Sequence, residues 1–404
     1  MRFVHTSSPS EGRRPAAPLA GVRVVDLGQY IAGPGAAMAL AELGATVTKV
    51  EPLGGDQARH IGRYGESMIR AYNRGKRSIA LDLKSDAGRE VALRLIARSD
   101  VVIQNLRPGA VDKLGLGPAA VRERYPRVIY LSITGFPRGG PSHGRPGYDI
   151  AAQAESGLMA VTGEPDGLPQ KVGVPVVDAA AAQLGAQAVL AALFGRERSG
   201  IGETLEVSLL ETALNLQSAT WCEYLAGGPE PTRIGHGQPH NAPAAELVPT
   251  RDGHIVLSAY AQEHWQRLCR VIGQEQLADD PRFRTNELRV RHRAELRQVL
   301  RDCLSRFTSQ ECVDRLGGQQ IVCGAVRSYR EVLASPDVAG VLVQARTADG
   351  ASYRALGLPY RLGDTPRPEL PAAPEAGADG TLVLAEAGYA ESEIAALREA
   401  RVVA

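Results

Sequence analysis

Residues 21–51 read GVRVVDLGQYIAGPGAAMALAELGATVTKVE, and the order of patterns in this stretch decides the fold. Val22–Leu27 is a short, valine-rich apolar run, which fits a strand buried on both faces. Glycines punctuate the turn that follows, and AAMALAELGA then carries the apolar spacing of a helix. Thr46–Glu51 is a second strand of the same character. A strand, a glycine turn, a helix and a strand make a βαβ unit, whose two strands run parallel beneath the crossing helix.

The alternation continues outward. Ser78–Leu83 (SIALDL), Val101–Asn105 (VVIQN) and Val128–Thr134 (VIYLSIT) predict further buried strands, with GREVALRLIARSD as an intervening helix. The expectation is an α/β protein with a Rossmann-like large domain, a mostly parallel sheet and helices on both faces. Ligands of such sheets sit in crevices beyond the carboxyl ends of the strands, so the polar residues after each strand are the places to search. Further on, VPVVDAAAAQ reads as an apolar strand delivering Asp178 to a long alanine-rich helix that ends near Gly195 or Gly200. A hairpin turn at Arg251-Asp252-Gly253, followed by the strand HIVLSA, opens a smaller α/β domain. The boundaries this predicts are a tail over 1–17, a large domain over 18–225 and a glycine- and proline-rich linker over 226–244. A small domain over 245–340 and a return to the large domain over 341–404 follow.

Composition excludes several classes. Of 404 residues, 44% are hydrophobic and 23% charged, so the chain can bury a sizeable core. With 46 Lys+Arg against 45 Asp+Glu, there is no basic field for a nucleic-acid partner, and any anion site must be a local cluster. Cys222, Cys269, Cys303, Cys312 and Cys323 are odd in number and form no CxxC pair, which predicts reduced thiols and a cytoplasmic protein. No apolar run reaches the roughly 18 residues of a membrane span, and residues 1–17 lack the apolar segment of a signal peptide. No membrane partner is expected.

Four groups of residues could carry chemistry. Gly33 and Gly35 after the first strand, with Glu51 ending the second, imitate a dinucleotide fingerprint, but Met38 stands where a third small residue belongs. Asp178 at a strand-to-helix junction reads both as an N-cap and as a carboxylate kept ionised by helix amides, the form that attacks an acyl group. Lys84, Asn105, Leu106, Arg107 and Lys113 follow successive strands and could together hold phosphates. Tyr148 and Asp149 lie between a turn and a helix in RPGYDIAAQ. His236 and His240 have HxxxH spacing, but Gly237 and Pro239 between them speak against the helix that a metal pair needs, and no metal is expected.

In order and spacing, GVRVVDLGQYIAGP, LAELGATVTKVE, NRGKRSIALDLK, QNLRPGAVDKLGLG, YLSITGF, GYDIAAQAESGLMAVTG and GVPVVDAAA resemble the family III CoA-transferases, the formyl-CoA and carnitine-CoA transferase group. The resemblance implies that Asp178 is the nucleophile of a CoA transfer through covalent aspartyl intermediates, with no cofactor beyond CoA. It implies CoA contacts from Leu81, Lys84, Asn105, Leu106, Arg107 and Lys113, and a polar pair, Tyr148 and Asp149, beside the nucleophile. Gly235, Gly237 and Gln238 match the glycine loop that covers such sites, with fewer glycines. Pro52 stands where an arginine often touches CoA, so the resemblance leaves that phosphate contact either missing or supplied by Arg59. An interlocked homodimer is the architecture implied. Similarity of GYDIAAQAESGLMAVTG to dicarboxylate-acting members suggests succinyl-CoA as donor and a small dicarboxylate as acceptor. An α-methylacyl-CoA racemase shares the fold but carries histidine where Tyr148 stands, and an intramolecular CoA transfer would use the same Asp178. An NAD-dependent oxidoreductase and a non-catalytic CoA-binding protein are the readings from other classes.

Overall fold

The structure is a computed structural model that describes residues 17–237, 244–347, 349–363 and 369–404. The described chain divides into two compact units. The first comprises the residues up to Ser156, Gly173–Ser218 and Gly340–Ala404; the second comprises Gly157–Val172 and Ala219–Ala339. This division departs from the boundaries read in the sequence at two places. The second unit begins at Ala219 and takes in 157–172, because strand-free segments such as these are placed by contacts that their own patterns do not reveal. Within that unit the Gly235 N–H donates to the Gly163 carbonyl and Arg233 to that of Ala160.

The first unit is built on β1 (Arg23–Asp26), α1 (Ala32–Glu42), β2 (Thr46–Glu51), α2 (Gly62–Tyr72), β3 (Lys76–Ala80), α3 (Asp86–Ala97) and β4 (Val101–Gln104). It continues with α4 (Ala110–Lys113), α5 (Pro118–Arg124), β5 (Ile129–Thr134) and α6 (Asp149–Glu155). The short α7 (Leu158–Val161) belongs to the second unit, and α8 (Val176–Ser199) and β6 (Thr204–Ser208) complete the first unit's main sheet and its cover. All six strands are parallel, in the order β3-β2-β1-β4-β5-β6, the doubly wound arrangement. Five of these six strands match the sequence reading within three residues. β6 (TLEVS) went unread because Thr204 and Glu206 on a half-buried edge strand break up the apolar run.

Small residues set how closely the helices approach. A Cβ on Gly35 of α1 would lie 2.9 Å from the Ala182 Cβ of α8, and one on Gly185 would lie 3.0 Å from Leu131 Cδ2. A Cβ on Gly33 would meet the Asn105 side chain at 3.0 Å. The glycines of the apparent dinucleotide fingerprint therefore serve packing. α8 is long and apolar enough to cross a membrane by length and composition, yet Val177, Ala181, Ala182, Ala186 and Val189 are buried in the unit's interior. The C-terminal segment adds Val383, Leu384, Ile394, Val402 and Val403 to the core beneath β3, and Val403 bridges to Leu81.

In the second unit β7 (Ala245–Pro249), β8 (His254–Ser258) and β9 (Val322–Ala325) form an antiparallel sheet, the first two joined by the expected hairpin. Trp265, Leu268, Phe283, Leu296, Leu300 and Leu316 fill its core. β10 (Leu342–Arg346) and β11 (Ser352–Leu356) pair antiparallel in the first unit.

Candidate active site

The open sheet places three loops side by side. The segments after β1 (Gln29–Ala32), after β4 (Asn105–Pro108) and at the end of β5 (Thr134, Gly135) converge with Tyr148 and Asp178 around a cleft of about 290 Å³. This is the crevice that a doubly wound fold offers at the carboxyl ends of its strands, where β1 and β4 flank the change in winding direction. Arg107 and Arg145 also line it, and among its described lining residues Asp178 is the one carboxylate. A groove with two guanidinium groups at its walls suits an anionic ligand.

No strand delivers Asp178. The helix α8 starts at Val176 after Pro175, so Asp178 is its third residue and occupies no N-cap. Proline fixes a helix-compatible backbone just ahead of the first turn, and the apolar run that reads as a strand is spent on Val176 and Val177 inside the helix. The amides that could have stabilised an Asp178 carboxylate are taken by Asp149. Its Oδ2 accepts from the N–H of Val177 at 2.7 Å and of Asp178 at 3.2 Å, while Gln153 donates to its Oδ1 at 2.5 Å. Burial, with the Asp149 charge second, pushes the Asp178 carboxyl up to about 7. The expectation of a strongly ionised carboxylate is thus corrected: Asp178 is poised between its charged and neutral forms, and Asp149 is a structural anion beneath it.

The sequence-predicted residues separate into two groups. Asn105, Leu106, Arg107 and Tyr148 line the cleft with Asp178. Leu81 is buried against the C-terminal segment, while Lys84 and Lys113 are exposed and outside the cleft wall. Gly235 and Gly237 belong to the second unit, where both have left-handed backbone, and a Cβ on Gly237 would meet the Ala245 carbonyl at 2.2 Å. Gln238 and His240 lie outside the described residues. Arg59 is not among the residues that line the cleft. Its guanidinium is held by Glu51 at 2.8 and 2.9 Å and by the Pro374 carbonyl, so Glu51 is an internal counter-ion and no ribose acceptor.

Sequence reasoning missed Gln29, Tyr30, Gln57 and Arg145, all of which line the cleft. The rule that polar residues after each strand deserve a search applies to Gln29 and Tyr30, which follow β1 closely. Asn105 clamps this loop: its Oδ1 accepts from the Gln29 N–H at 2.8 Å and its Nδ2 donates to the Gln29 carbonyl at 2.9 Å. Tyr72 is an electrostatic neighbour of Asp178; burial raises its phenol, and the charges of Tyr64 and Asp178 raise it further. Arg145 is oriented by a two-point contact with Glu155 at 2.7 and 3.1 Å.

A doubly wound sheet whose crevice carries arginines and a lone carboxylate in the first turn of a helix defines an α/β protein with a candidate site for an anionic ligand. Residues 19–380 match the model of CoA-transferase family III, and the chain belongs to that family. It is a CoA-transferase of this type. Among its relatives is the succinate–glutarate CoA-transferase of Agrobacterium fabrum, 37% identical over 91% of this chain and 95% of that protein. The succinyl-CoA:mesaconate CoA-transferase of Haloarcula hispanica is 37% identical over 78% of this chain and 82% of its own length. A crystal structure of a CAIB/BAIF family protein from Brucella suis superposes with a TM-score of 0.83 at 33% identity, covering 92% of this chain and 99% of that one.

Proposed function

We propose that the protein moves CoA from succinyl-CoA to a small dicarboxylic acid through covalent intermediates on Asp178. The observation that carries the chemistry is the position of Asp178 as the one carboxylate among the described residues of the cleft wall. The substrate class is supported by relatives named for succinate–glutarate and succinyl-CoA:mesaconate transfer.

In this reading an Asp178 Oδ attacks the thioester carbonyl, the C–S bond breaks, and CoA leaves as thiolate. The mixed anhydride so formed is attacked at the aspartyl carbonyl by that thiolate, which releases the donor acid and leaves an aspartyl thioester. An acceptor carboxylate attacks the thioester, giving a second anhydride and freeing the thiolate again. Attack of the thiolate on the acceptor's acyl carbon forms the new acyl-CoA and returns Asp178 as carboxylate. Each step exchanges one activated acyl bond for another, so the route uses no cofactor beyond CoA. Arg107 and Arg145 would face the anionic parts of the ligand, and Asp149 would keep the first turn of α8 fixed while Asp178 is acylated.

A racemase would need a second base across from Asp178. Tyr148 stands where the racemases that resemble this chain carry histidine, and Asp149 has its oxygens committed to backbone amides and Gln153. We infer further that the protein is a cytoplasmic homodimer. The large apolar side chains of Phe194, Ile201 and Leu216, 49–62% exposed, give a second protomer surface to cover. Among the described residues all five cysteines are unpaired, in keeping with a reducing compartment.

The test is incubation with succinyl-CoA followed by hydroxylamine and peptide mapping by mass spectrometry. A hydroxamate on the peptide holding Asp178, absent in Asp178→Asn, supports the covalent route. An unmodified Asp178 peptide with succinyl-CoA and other acyl-CoAs, alongside deuterium exchange at the acyl α-carbon, would replace it with the racemase.

A further inference from the structure

Tyr30 is a non-glycine residue with φ of 63°, in the left-handed region that a side chain of its size rarely adopts. Such a conformation persists only where the surroundings impose it, and here they do so from all sides. The Gly28 N–H donates to Asp26 at 2.8 Å and its carbonyl accepts from Lys49 at 2.8 Å. Asn105 holds both polar groups of the Gln29 backbone. The Tyr30 N–H donates to Asp56 at 3.2 Å, and Asp56 is itself paired with the fully buried Lys49 at 2.9 Å. Lys76, also buried, ties Asp26 to the Pro34 carbonyl on the far side of the turn. A buried network of four charges, together with the Asn105 amide, therefore fixes three consecutive residues of this loop.

What this construction aims is the Tyr30 ring. Its hydroxyl donates to Gln57 Oε1 at 2.7 Å, and its ring meets that of Tyr148 edge to face, with centroids 6.0 Å apart. Tyr148 is 56% exposed and precedes α6, whose first residue, Asp149, holds the amide of Asp178. Among the described residues Tyr30 is the one aromatic ring that packs on Tyr148.

We propose that Tyr30 is a positioning residue that acts through Tyr148, holding that phenol in the cleft that Asp178 also lines so that the Tyr148 ring packs on the thioester-bearing arm of the acyl-CoA. This deepens the CoA-transfer reading and rests on it for the identity of the ligand. An edge-to-face pair adds only a modest attraction beyond the area it buries, so the expected effect is one of ordering, read as a roughly tenfold change and no abolition of the chemistry.

The left-handed backbone makes the test clean, because glycine keeps that conformation while removing the ring. In Tyr30→Gly the KM for succinyl-CoA and the calorimetric Kd for CoA are expected to rise about tenfold, with hydroxamate still forming at Asp178. Tyr30→Phe, which retains the ring and loses the hydroxyl's contacts with Gln57 and Tyr148, should fall between the parent and Tyr30→Gly. In a double-mutant cycle with Tyr148→Ala, the double variant should be no worse than Tyr148→Ala alone, as coupled residues require. Independent, multiplying effects of the two substitutions would overturn the proposal, as would an unchanged Kd in Tyr30→Gly. The CoA affinities decide this even if the parent protein never acylates Asp178, an outcome that would sink the transfer reading by itself.

Discussion

Replacing Asp178 by asparagine should stabilise the protein at pH 8 and leave its stability nearly unchanged at pH 4. Burial and the Asp149 charge raise this carboxyl from its ordinary 3.8 to about 7. Between those values the folded state binds a proton that the unfolded state has released, so stability falls as pH rises from about 4 through about 7 and is level above. The complete shift corresponds to about 4 kcal/mol at about 1.4 kcal/mol for each tenfold change in proton affinity. Asp178 keeps partial solvent contact, and screening trims the figure to about 1–2 kcal/mol. Asparagine has nearly the same shape without the charge. At pH 8, where the native carboxylate is ionised in a poor environment, the variant should melt about 2–4 °C higher. The gain should narrow steadily as the pH is lowered. At pH 4 the folded parent is neutral at this position and the unfolded chain is close to its own midpoint, so the melting curves should nearly coincide. Differential scanning calorimetry across this range measures the whole trend. An Asp178→Asn variant that melts lower at pH 8, or whose advantage is the same at pH 4, would refute the argument that the cleft holds this carboxylate at an electrostatic cost.

Other consequences can be checked alongside. Because the ionised form is the nucleophile, the rate of acylation of the protein by acyl-CoA should climb with pH up to about 7 and flatten above, losing about tenfold for each pH unit on the acid side. Quenched-flow labelling gives the profile, and a flat response from pH 5 to about 8 would contradict it. Lys49→Met strands Asp56 and the Gly28 carbonyl in the interior, and urea denaturation should show a loss of about 3–5 kcal/mol. Gly35→Ala gains about 1 kcal/mol of helix propensity but drives a methyl to 2.9 Å from Ala182 Cβ, so packing should win and the variant should lose about 1–3 kcal/mol in the same assay. Asn105→Ala frees both polar groups of Gln29 and should weaken CoA binding while costing about 1–3 kcal/mol of stability.

The charge network under β1–β3 shows how this fold supports a site that is costly in itself. Asp26, Lys49, Asp56 and Lys76 are fully or almost fully buried, and burying charges contributes little net stability even when they are paired. What the network does supply is a rigid left-handed turn at the cleft wall and a fixed, buried Pro34 carbonyl behind it. The strained Tyr30 is thereby held on a rigid element, while Asp178 is held separately by the Asp149 contacts to the first turn of α8.

Local pattern was enough to specify the parallel sheet and the location of its crevice. Valine-rich runs such as VRVVDL and VVIQ suit doubly buried strands, and the helices between them impose right-handed parallel crossovers. The same pattern singled out Asn105 and Arg107, which follow a strand end into the crevice, whereas Tyr148, just ahead of a helix, and Asp178, in the first turn of one, are indicated by the family resemblance. The rest waited on the folded chain. No local pattern could tell that VPVV would enter a helix, because proline, which begins helices as readily as it interrupts strands, left both readings open. Nor could it tell that Asp149 would take the helix amides from Asp178, or that Arg59 would be spent on Glu51. Hydrogen-bond donors are allotted among competing acceptors only when distant segments meet, and that allotment sets the charge state of the nucleophile.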